Sequence, residues 1–419
     1  MTYPNSVLGD LLWTPDGSPT EIDNYATFVK TEQGFDWAND YHQLWQWSVQ
    51  EKGEFWSSLW DWHDVIGEKG TRLLIDDDQM PGARFFPDAS VNYAQNMLAE
   101  ADDCPAIIAY GEDGRCTRLT RAELKTTVMA LAGWMQSRGI GKGDRVAAYL
   151  PNGEHAVIAM LATAAIGGIF SSCSPDFGLT GVSDRFGQIT PKLLIASDGY
   201  QYNGKVVDRL DNIAELAQAI PSIETVAVVG YINPTPDISQ IRTAVLFDQT
   251  LSYAPLSKFV PMSFNDPLYI LYSSGTTGAP KCIVHSVGGT LMKHICELRL
   301  HSNVKSGDNV FYFTTCGWMM WNWLVSTLLC RATVILYEGN PFYPGPERLW
   351  QIAEKEKFTL FGTSAKYIDA IRKAGLIPCE QFELSALRTL CSTGSPLSAE
   401  GFQFVYEAIH PNLQLASIS

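Results

Sequence analysis

Positive charge is scarce in this chain: 30 lysines and arginines stand against 45 aspartates and glutamates, for a net charge of −15. A surface that acidic repels polyanions at long range, which argues against nucleic acid and against an anionic membrane as partners. No Cys-x-x-Cys pair occurs among the nine cysteines, an odd number spread along the chain. The thiols therefore read as free or buried groups of a reducing compartment, not as a disulfide framework. Histidine is sparse as well, at seven residues, and none falls at metal-ligand spacing. His285, His294 and His301 come nearest to a cluster but form no metal-ligand pattern, so a structural role is the better reading and no metal site is expected. Long apolar runs are missing. The longest, Ala156 to Phe170, has fifteen residues and is rich in Ala and Gly; it is too short to span a bilayer and reads as a helix buried against a sheet. The N-terminus shows no basic stretch running into an apolar core, so a cytoplasmic location is expected. Repeats and low-complexity segments are absent too.

What is present suits a large α/β body. With 419 residues, 46% of them hydrophobic and 18% charged, the chain exceeds one ordinary core and predicts two or three subdomains. Residues 1–95 are tryptophan-rich, and Tyr41, Leu44, Trp45 and Val49 fall at helical spacing on one apolar face, predicting a helical cap packed on the body. From residue 96 to 260 strand-like and helix-like stretches alternate: strands at 106–110, 145–150, 169–172, 192–197 and 225–229, helices at 121–138, 155–167 and 208–219. That alternation predicts a largely parallel sheet flanked by helices. Residues 231–266 lack a clear period and contain Asn233-Pro234-Thr235-Pro236, which reads as a connection between subdomains. A second alternation fills 261–419, with strands at 268–272, 309–314, 333–337, 359–362 and 387–391 and helices at 318–330, 346–357, 364–374 and 398–409. The fold class expected is α/β, with two largely parallel sheets and a helical N-terminal cap.

The most informative segment is Tyr272-Ser273-Ser274-Gly275-Thr276-Thr277-Gly278-Ala279-Pro280-Lys281. Gly275 and Gly278 allow the backbone to take positive φ and approach an anion, while four hydroxyls and Lys281 add donors and one charge. It is not the common P-loop: Lys281 follows Gly278 by three positions and Cys282 stands where a Mg²⁺-holding Ser/Thr would. The β-branched pair in Cys282-Ile283-Val284-His285 predicts a strand after the loop, so the loop joins two strands. A plain Gly/Ser hairpin is the alternative, but such a turn needs only one or two special residues.

This run resembles the phosphate-binding loop of the adenylate-forming superfamily, which includes acyl-CoA synthetases, luciferases and amino-acid adenylation domains. The likeness extends from about Pro81 to the last residue. Ser174-Pro175-Asp176-Phe177-Gly178, the stretch Ala196 to Lys205, Gly317-Trp318-Met319-Met320-Trp321-Asn322-Trp323 and Gly362-Thr363-Ser364-Ala365-Lys366-Tyr367 resemble most closely the acetoacetate-activating synthetases. The resemblance implies a ligase that joins acetoacetate to coenzyme A through an acyl-adenylate, using ATP and Mg²⁺ and releasing AMP and pyrophosphate. Another short-chain acid (acetate, propionate or butyrate) and a non-catalytic nucleotide-binding remnant are the alternatives. No general base is needed, because a carboxylate is already ionised at neutral pH; charge neutralisation and positioning are.

By the same resemblance Ser273, Ser274, Gly275, Thr276, Thr277, Gly278 and Lys281 would grip the phosphates, with Lys281, Thr276 and Thr277 as the catalytic candidates. Trp318, Met319, Met320 and Asn322 would line the acyl pocket, where a bulky aromatic favours a small acid; a packed core helix is the alternative. Lys205 would meet coenzyme A, although related chains carry arginines where this one has Tyr200 and Tyr202, and a surface glycine turn explains the stretch equally well. Phe177 and Gly178 would flank the thiol channel, and Gly394, Ser395 and Pro396 would approach AMP, unless they form a simple strand-to-helix turn. Leu413 to Ser419 reads as a strand without a following turn, as expected of a cut rather than a natural end, although a short gene is the alternative. The family's adenine segment, its Mg²⁺ ligand and its mobile C-terminal domain would follow, so little ligase turnover is expected from these residues alone.

Overall fold

The computed structural model describes residues 11–273, 278 and 280–418. Its first helices are α1 (Glu21–Gln33), α2 (Tyr41–Gln50) and α3 (Lys52–Trp62). A hairpin of β1 (Pro105–Gly111) and β2 (Cys116–Thr120) leads into α4 (Arg121–Ser137). The Thr120 hydroxyl accepts from the Glu123 N–H at 3.1 Å and the Glu123 carboxylate accepts from the Thr120 N–H at 2.8 Å, a reciprocal cap that fixes where α4 starts. Then follow β3 (Arg145–Tyr149), α5 (Glu154–Ala165), β4 (Ile169–Cys173), α6 (Leu179–Ile189), β5 (Leu193–Ser197), a small hairpin of β6 (Gly199–Tyr202) and β7 (Lys205–Asp208), α7 (Leu210–Ala219), β8 (Thr225–Val229) and β9 (Ala244–Leu246). The rest comprises β10 (Pro267–Tyr272), β11 (Cys282–Ser286), α8 (Val287–Ile295), β12 (Asn309–Tyr312), α9 (Met319–Val325), β13 (Thr333–Glu338), α10 (Arg348–Lys355), β14 (Leu360–Ser364), α11 (Ala365–Lys373), β15 (Thr389–Thr393), α12 (Ala399–Phe404) and β16 (Gln414–Ser417).

Two seven-stranded sheets result, ordered β9-β8-β5-β3-β4-β10-β11 and β16-β15-β14-β12-β13-β1-β2. Each is parallel except for one antiparallel edge strand, β11 on β10 and β2 on β1. Because neighbouring residues on a strand face opposite ways, each strand supplies two cores. Val146 and Ala148 of β3 join Ile107 of β1, Val310 of β12 and Val334 of β13 in a core shared by both sheets, while Ala147 and Tyr149 pack outward with Val182, Phe186 and Ile213 of α6 and α7. Phe311 and Phe361 turn to the far side of the second sheet, against Leu349, Trp350 and Ile368 of α10 and α11. Helix α5 lies in the shared core with every residue from Ala156 to Ala165 buried, as its run of small residues predicts.

The expected division at residues 96–260 and 261–419 does not follow the sheets. Residues 267–286 pair into the first sheet and residues 105–120 into the second, so the two interleave along the chain. A boundary at 95 is crossed as well, since Ser90–Val91 pairs antiparallel with Met262–Ser263. The stretch 231–266 is more than a connection, because its Ala244–Leu246 extends the first sheet in parallel with β8. The cap packs by a different face from the one expected. Leu44 is buried and Trp47 stacks on Phe35 at 4.7 Å, whereas Tyr41, Trp45 and Val49 stay 55%, 48% and 48% exposed. Helix α2 sits on the perimeter, where an i, i+3 pair suffices to anchor it. His294 is a structural histidine, buried with Nδ1 2.5 Å from Ser326 Oγ, and burial lowers its pKa to about 3. No helix of the described residues is long and apolar enough to cross a membrane.

One side chain ties the carboxyl ends of the two sheets together. Asn152, just past β3, is buried; its Nδ2 donates to Thr314 O at 2.9 Å and Tyr337 O at 3.2 Å, and its Oδ1 accepts from Trp321 Nε1 at 3.0 Å. Its backbone N–H donates to Glu338 Oε2 at 2.6 Å. Asn152→Ala strands the indole donor and two carbonyls in a dry site, and we expect a loss of about 2–4 kcal/mol of stability, measured by urea unfolding; a loss below about 0.5 kcal/mol would show that the tie is not structural.

Candidate active site

The phosphate-type loop, the 317–323 segment and the turn at Gly394 follow the carboxyl ends of β10, β12 and β15, the side on which open α/β sheets place their ligands. The phosphate-type loop does join two strands, β10 and β11, paired antiparallel with Tyr272 opposite Cys282. Ser274, Gly275, Thr276 and Thr277 lie outside the described residues. At the base, the Ser273 N–H donates to Lys281 O at 3.0 Å and the Lys281 N–H donates to Ser273 Oγ at 3.3 Å, so these two candidates face each other. Gly278 has φ +145°, a backbone state that L side chains rarely adopt, and a Cβ there would meet nothing within 4 Å. Lys281 is exposed and has no ion pair among the described residues.

Helix α6 clamps this base, and the sequence reading passed over it although Val182, Phe186 and Ile189 recur at helical spacing. Gln188 Nε2 donates to Pro280 O at 2.9 Å and Tyr272 Oη donates to Arg185 O at 3.2 Å. On the neighbouring strand ends, Tyr149 Oη donates to Phe177 O at 2.6 Å and fixes the turn before α6.

The segment expected to line an acyl pocket opens α9. Trp318 and Met319 are 59% and 46% exposed, so these two are not core residues, and Met320 is half-buried. Asn322 is 1% exposed, and neither its Nδ2 nor its Oδ1 has a partner among the described residues. Gly394, with φ +85°, Ser395 and Pro396 are exposed just past β15, next to the buried, unpartnered hydroxyls of Thr363 and Ser392; those two residues sit opposite each other in the register of β14 and β15.

Lys205 stands apart from this group, on the exposed first position of β7. The Asn203-Gly204 turn before it has φ of +54° and +74° at its two residues, a tight hairpin turn. Both turn N–H groups donate to the Glu112 carboxylate, at 2.9 and 2.7 Å, and the Asn340 N–H joins them at 2.7 Å. A resident carboxylate thus takes the amides that a phosphate would need, which leaves Lys205 alone as the anion-binding candidate of this stretch.

Among the described residues no group of three or more His, Cys, Asp or Glu is placed to hold a metal. The carboxylate that sequence reading missed is Glu338, at the end of β13. Burial raises its pKa to about 7; the Asn152 N–H opposes the shift, and the Asp176 and Glu112 charges reinforce it.

The geometry fits the sequence comparisons. A model of the AMP-binding enzyme family matches residues 95–416 and one of the acetyl-coenzyme A synthetase N-terminus matches residues 41–97. The chain belongs to the AMP-binding enzyme family. Within it, the chain is 48% identical over 420 residues to the acetoacetyl-coenzyme A synthetase of Rhizobium meliloti (strain 1021), covering 97% of this chain and 63% of that one. It is 39% identical over 428 residues to the acetoacetyl-CoA synthetase of Gallus gallus, covering 99% and 64%. The solved acetoacetyl-CoA synthetase from Streptomyces lividans superposes with a TM-score of 0.92 at 40% identity, over 97% of this chain and 64% of that one. The chain therefore spans somewhat under two thirds of the length of the relatives it matches.

The Glu338 shift has a measurable consequence. Its folded pKa of about 7 lies above the ordinary 4.5, so between those values the folded chain holds a proton that the unfolded chain has released. The contribution is full below pH 4.5 and is lost as pH rises through 7, amounting to about 3 kcal/mol. Glu338→Gln keeps an acceptor for the Asn152 N–H but cannot ionise. Urea unfolding from pH 5 to pH 8 is expected to show the variant gaining on the parent as pH rises; parallel curves would contradict the shift.

Proposed function

We propose that this chain carries the adenylation half of an acetoacetate-CoA ligase. In the first step an acetoacetate carboxylate oxygen attacks the α-phosphorus of ATP, forming the acyl-adenylate as the bond to the bridging oxygen of pyrophosphate breaks. In the second, the coenzyme A thiol, losing its proton, attacks the acyl carbon and AMP leaves. Ser273, Gly278 and Lys281, with Ser274, Gly275, Thr276 and Thr277 between them, hold the outer phosphates. Mg²⁺ bound with the nucleotide would supply part of the charge neutralisation; among the described residues no group of three or more His, Cys, Asp or Glu is placed to hold it. Gly394, Ser395 and Pro396 border the AMP moiety, and Lys205 offers its ammonium to a coenzyme A phosphate.

The observation that carries this reading is the placement of Trp318 and Met319. Both are exposed at the mouth of a helix otherwise buried from Trp321 onward, and a Cβ on the adjacent Gly317 would stand 3.7 Å from Phe177, in the turn before the helix that holds the hairpin base of Ser273 and Lys281. An indole at that point shortens the space for an acyl chain and suits a four-carbon acid. Below it, the unpartnered Asn322 amide offers a donor to a 3-keto oxygen, which butyrate would leave unsatisfied. The likeness to acetoacetyl-CoA synthetases supports the same choice.

The test is acid-dependent pyrophosphate release by the full-length protein, run with acetoacetate, acetate, propionate and butyrate. Acetoacetate is expected to lead in kcat/KM by about tenfold or more; a preference for butyrate would reassign the acid, and no release with any of the four would reject the ligase reading. Lys281→Ala is expected to lower kcat/KM for ATP by about 10²–10³-fold while changing the Kd for acetoacetate little. Equal effects on both substrates would remove the phosphate role.

A further inference from the structure

Arg185, on the inner turn of α6, is a cation without a carboxylate. Its Nη1 donates to Gly181 O at 2.7 Å, and no acidic side chain pairs with it among the described residues. Two aromatic faces hold the guanidinium instead, Phe177 at 4.6 Å and Tyr272 at 5.8 Å from ring centroid to Cζ. Cation–π contacts fix the plane of an arginine without neutralising it. The Nε and Nη2 edge is left with no hydrogen-bond partner among the described residues, and that edge is the fork that matches two oxygens of one phosphoryl group.

The position connects three segments of the site. Tyr272 is the last residue of β10, immediately before Ser273, and its hydroxyl donates to the Arg185 carbonyl while accepting from Ser171 Oγ at 3.0 Å. Phe177 belongs to the turn before α6, and its ring edge stands 3.7 Å from where a Cβ on Gly317 would be, at the start of the acyl segment. A Cβ on Gly181 would lie 3.5 Å from Arg185 Nη1 and 3.6 Å from Phe177, ordinary contact distances, so the arginine and the ring pack together over this turn of α6. A half-buried charge in a chain of net −15 ordinarily finds an acid. This one is instead pre-oriented, with its fork unused, beside the hairpin that carries Lys281.

We propose that Arg185 binds a phosphoryl group of a nucleotide substrate, complementing Lys281 from the opposite arm of the hairpin. This rests on the ligase reading above, and both ATP and coenzyme A could supply the group. The ATP arm is acid-dependent exchange of labelled pyrophosphate into ATP by the full-length protein; the coenzyme A arm is the KM for coenzyme A in the overall reaction. Arg185→Met keeps the apolar stem and is expected to raise KM in one arm by about tenfold to a hundredfold, the worth of a charged hydrogen-bonded pair. Arg185→Lys keeps the charge but not the fork and is expected to fall between Met and the parent, which a purely packing role would not produce. The acetoacetate KM should stay within about twofold in both variants. A rise in the ATP arm places the group on the polyphosphate, and a rise in the other places it on coenzyme A. Unchanged KM values in both arms would overturn the proposal while Lys281→Ala still impaired exchange, and so would equal losses in Lys and Met. If Arg185→Met fails to fold, the Lys variant decides, since parental KM values there would reject the fork. Absence of exchange in the parent protein would fail the ligase reading itself.

Discussion

The constraint on which this architecture depends is that two separately wound sheets must meet at their carboxyl ends, and a buried amide and a buried acid do the joining. Asn152 uses its side chain on Thr314, Tyr337 and Trp321 and its backbone on Glu338, so one residue of the first sheet holds the ends of two strands and one helix of the second. Two further bonds run alongside: Ser172 Oγ donates to Cys316 O at 2.6 Å, and Cys316 Sγ lies 3.0 Å from Leu150 O. Thr314, Cys316 and Trp321 lie within four residues of Trp318, so the same contacts that lock the sheets also fix the start of the 317–323 segment. A buried polar network of this kind is costly when incomplete and specifying when complete.

Charge follows the same logic. A net charge of −15 gives no global attraction for anions, so the nucleotide proposed above would have to be recognised by local donors held where acids cannot quench them. Most arginines of this chain do meet acids, as Arg299 meets Glu21 and Arg388 meets Asp308. Among the described residues Lys281 and Arg185 form no ion pair, as is also true of several other arginines, and these two stand beside one hairpin base. Where an acid does enter a turn that could have cradled a phosphate, at Glu112 beneath Asn203 and Gly204, it fastens the β6–β7 hairpin to Asn340 of the second sheet.

Local pattern made much of this legible. The apolar runs at 225–229 and 333–337 and the small-residue run after Ala156 became strands and a buried helix because each run's own period and composition decide its state. The hairpin was legible for the same reason, with its glycines and hydroxyls between two β-branched stretches. Pairing between distant segments was not. Nothing local announces that residues 105–120 close the second sheet while 145–246 build the first, because parallel neighbours are chosen by what the shared core accepts. The exposed Tyr41, Trp45 and Val49 mislead for a related reason: an apolar period shows that a face could be buried, not that a partner lies opposite. Asn152 and Glu338 carry no signal at all, since a polar residue after a strand reads as a turn until the other sheet is in place.

The hairpin base shows how such ties bear on chemistry. Ser273 and Lys281 pair across it, Gln188 holds Pro280 from α6, and Tyr272 is bonded on both sides by Ser171 and Arg185. Both arms are therefore fixed at the point where the loop leaves the sheet, since the Lys281 backbone is bonded to Ser273 and its neighbour Pro280 to Gln188 of α6. A flexible lysine stem on a fixed anchor supplies a charge that reaches only a defined volume above the strand ends. Preorganisation of this sort favours electrostatic stabilisation of a transferring phosphoryl group, because the donors need no rearrangement as charge develops. The edge position suits it as well. An antiparallel strand added to a parallel sheet lets the chain turn back at the carboxyl end, the side on which substrates bind, instead of crossing to the opposite side through a helix.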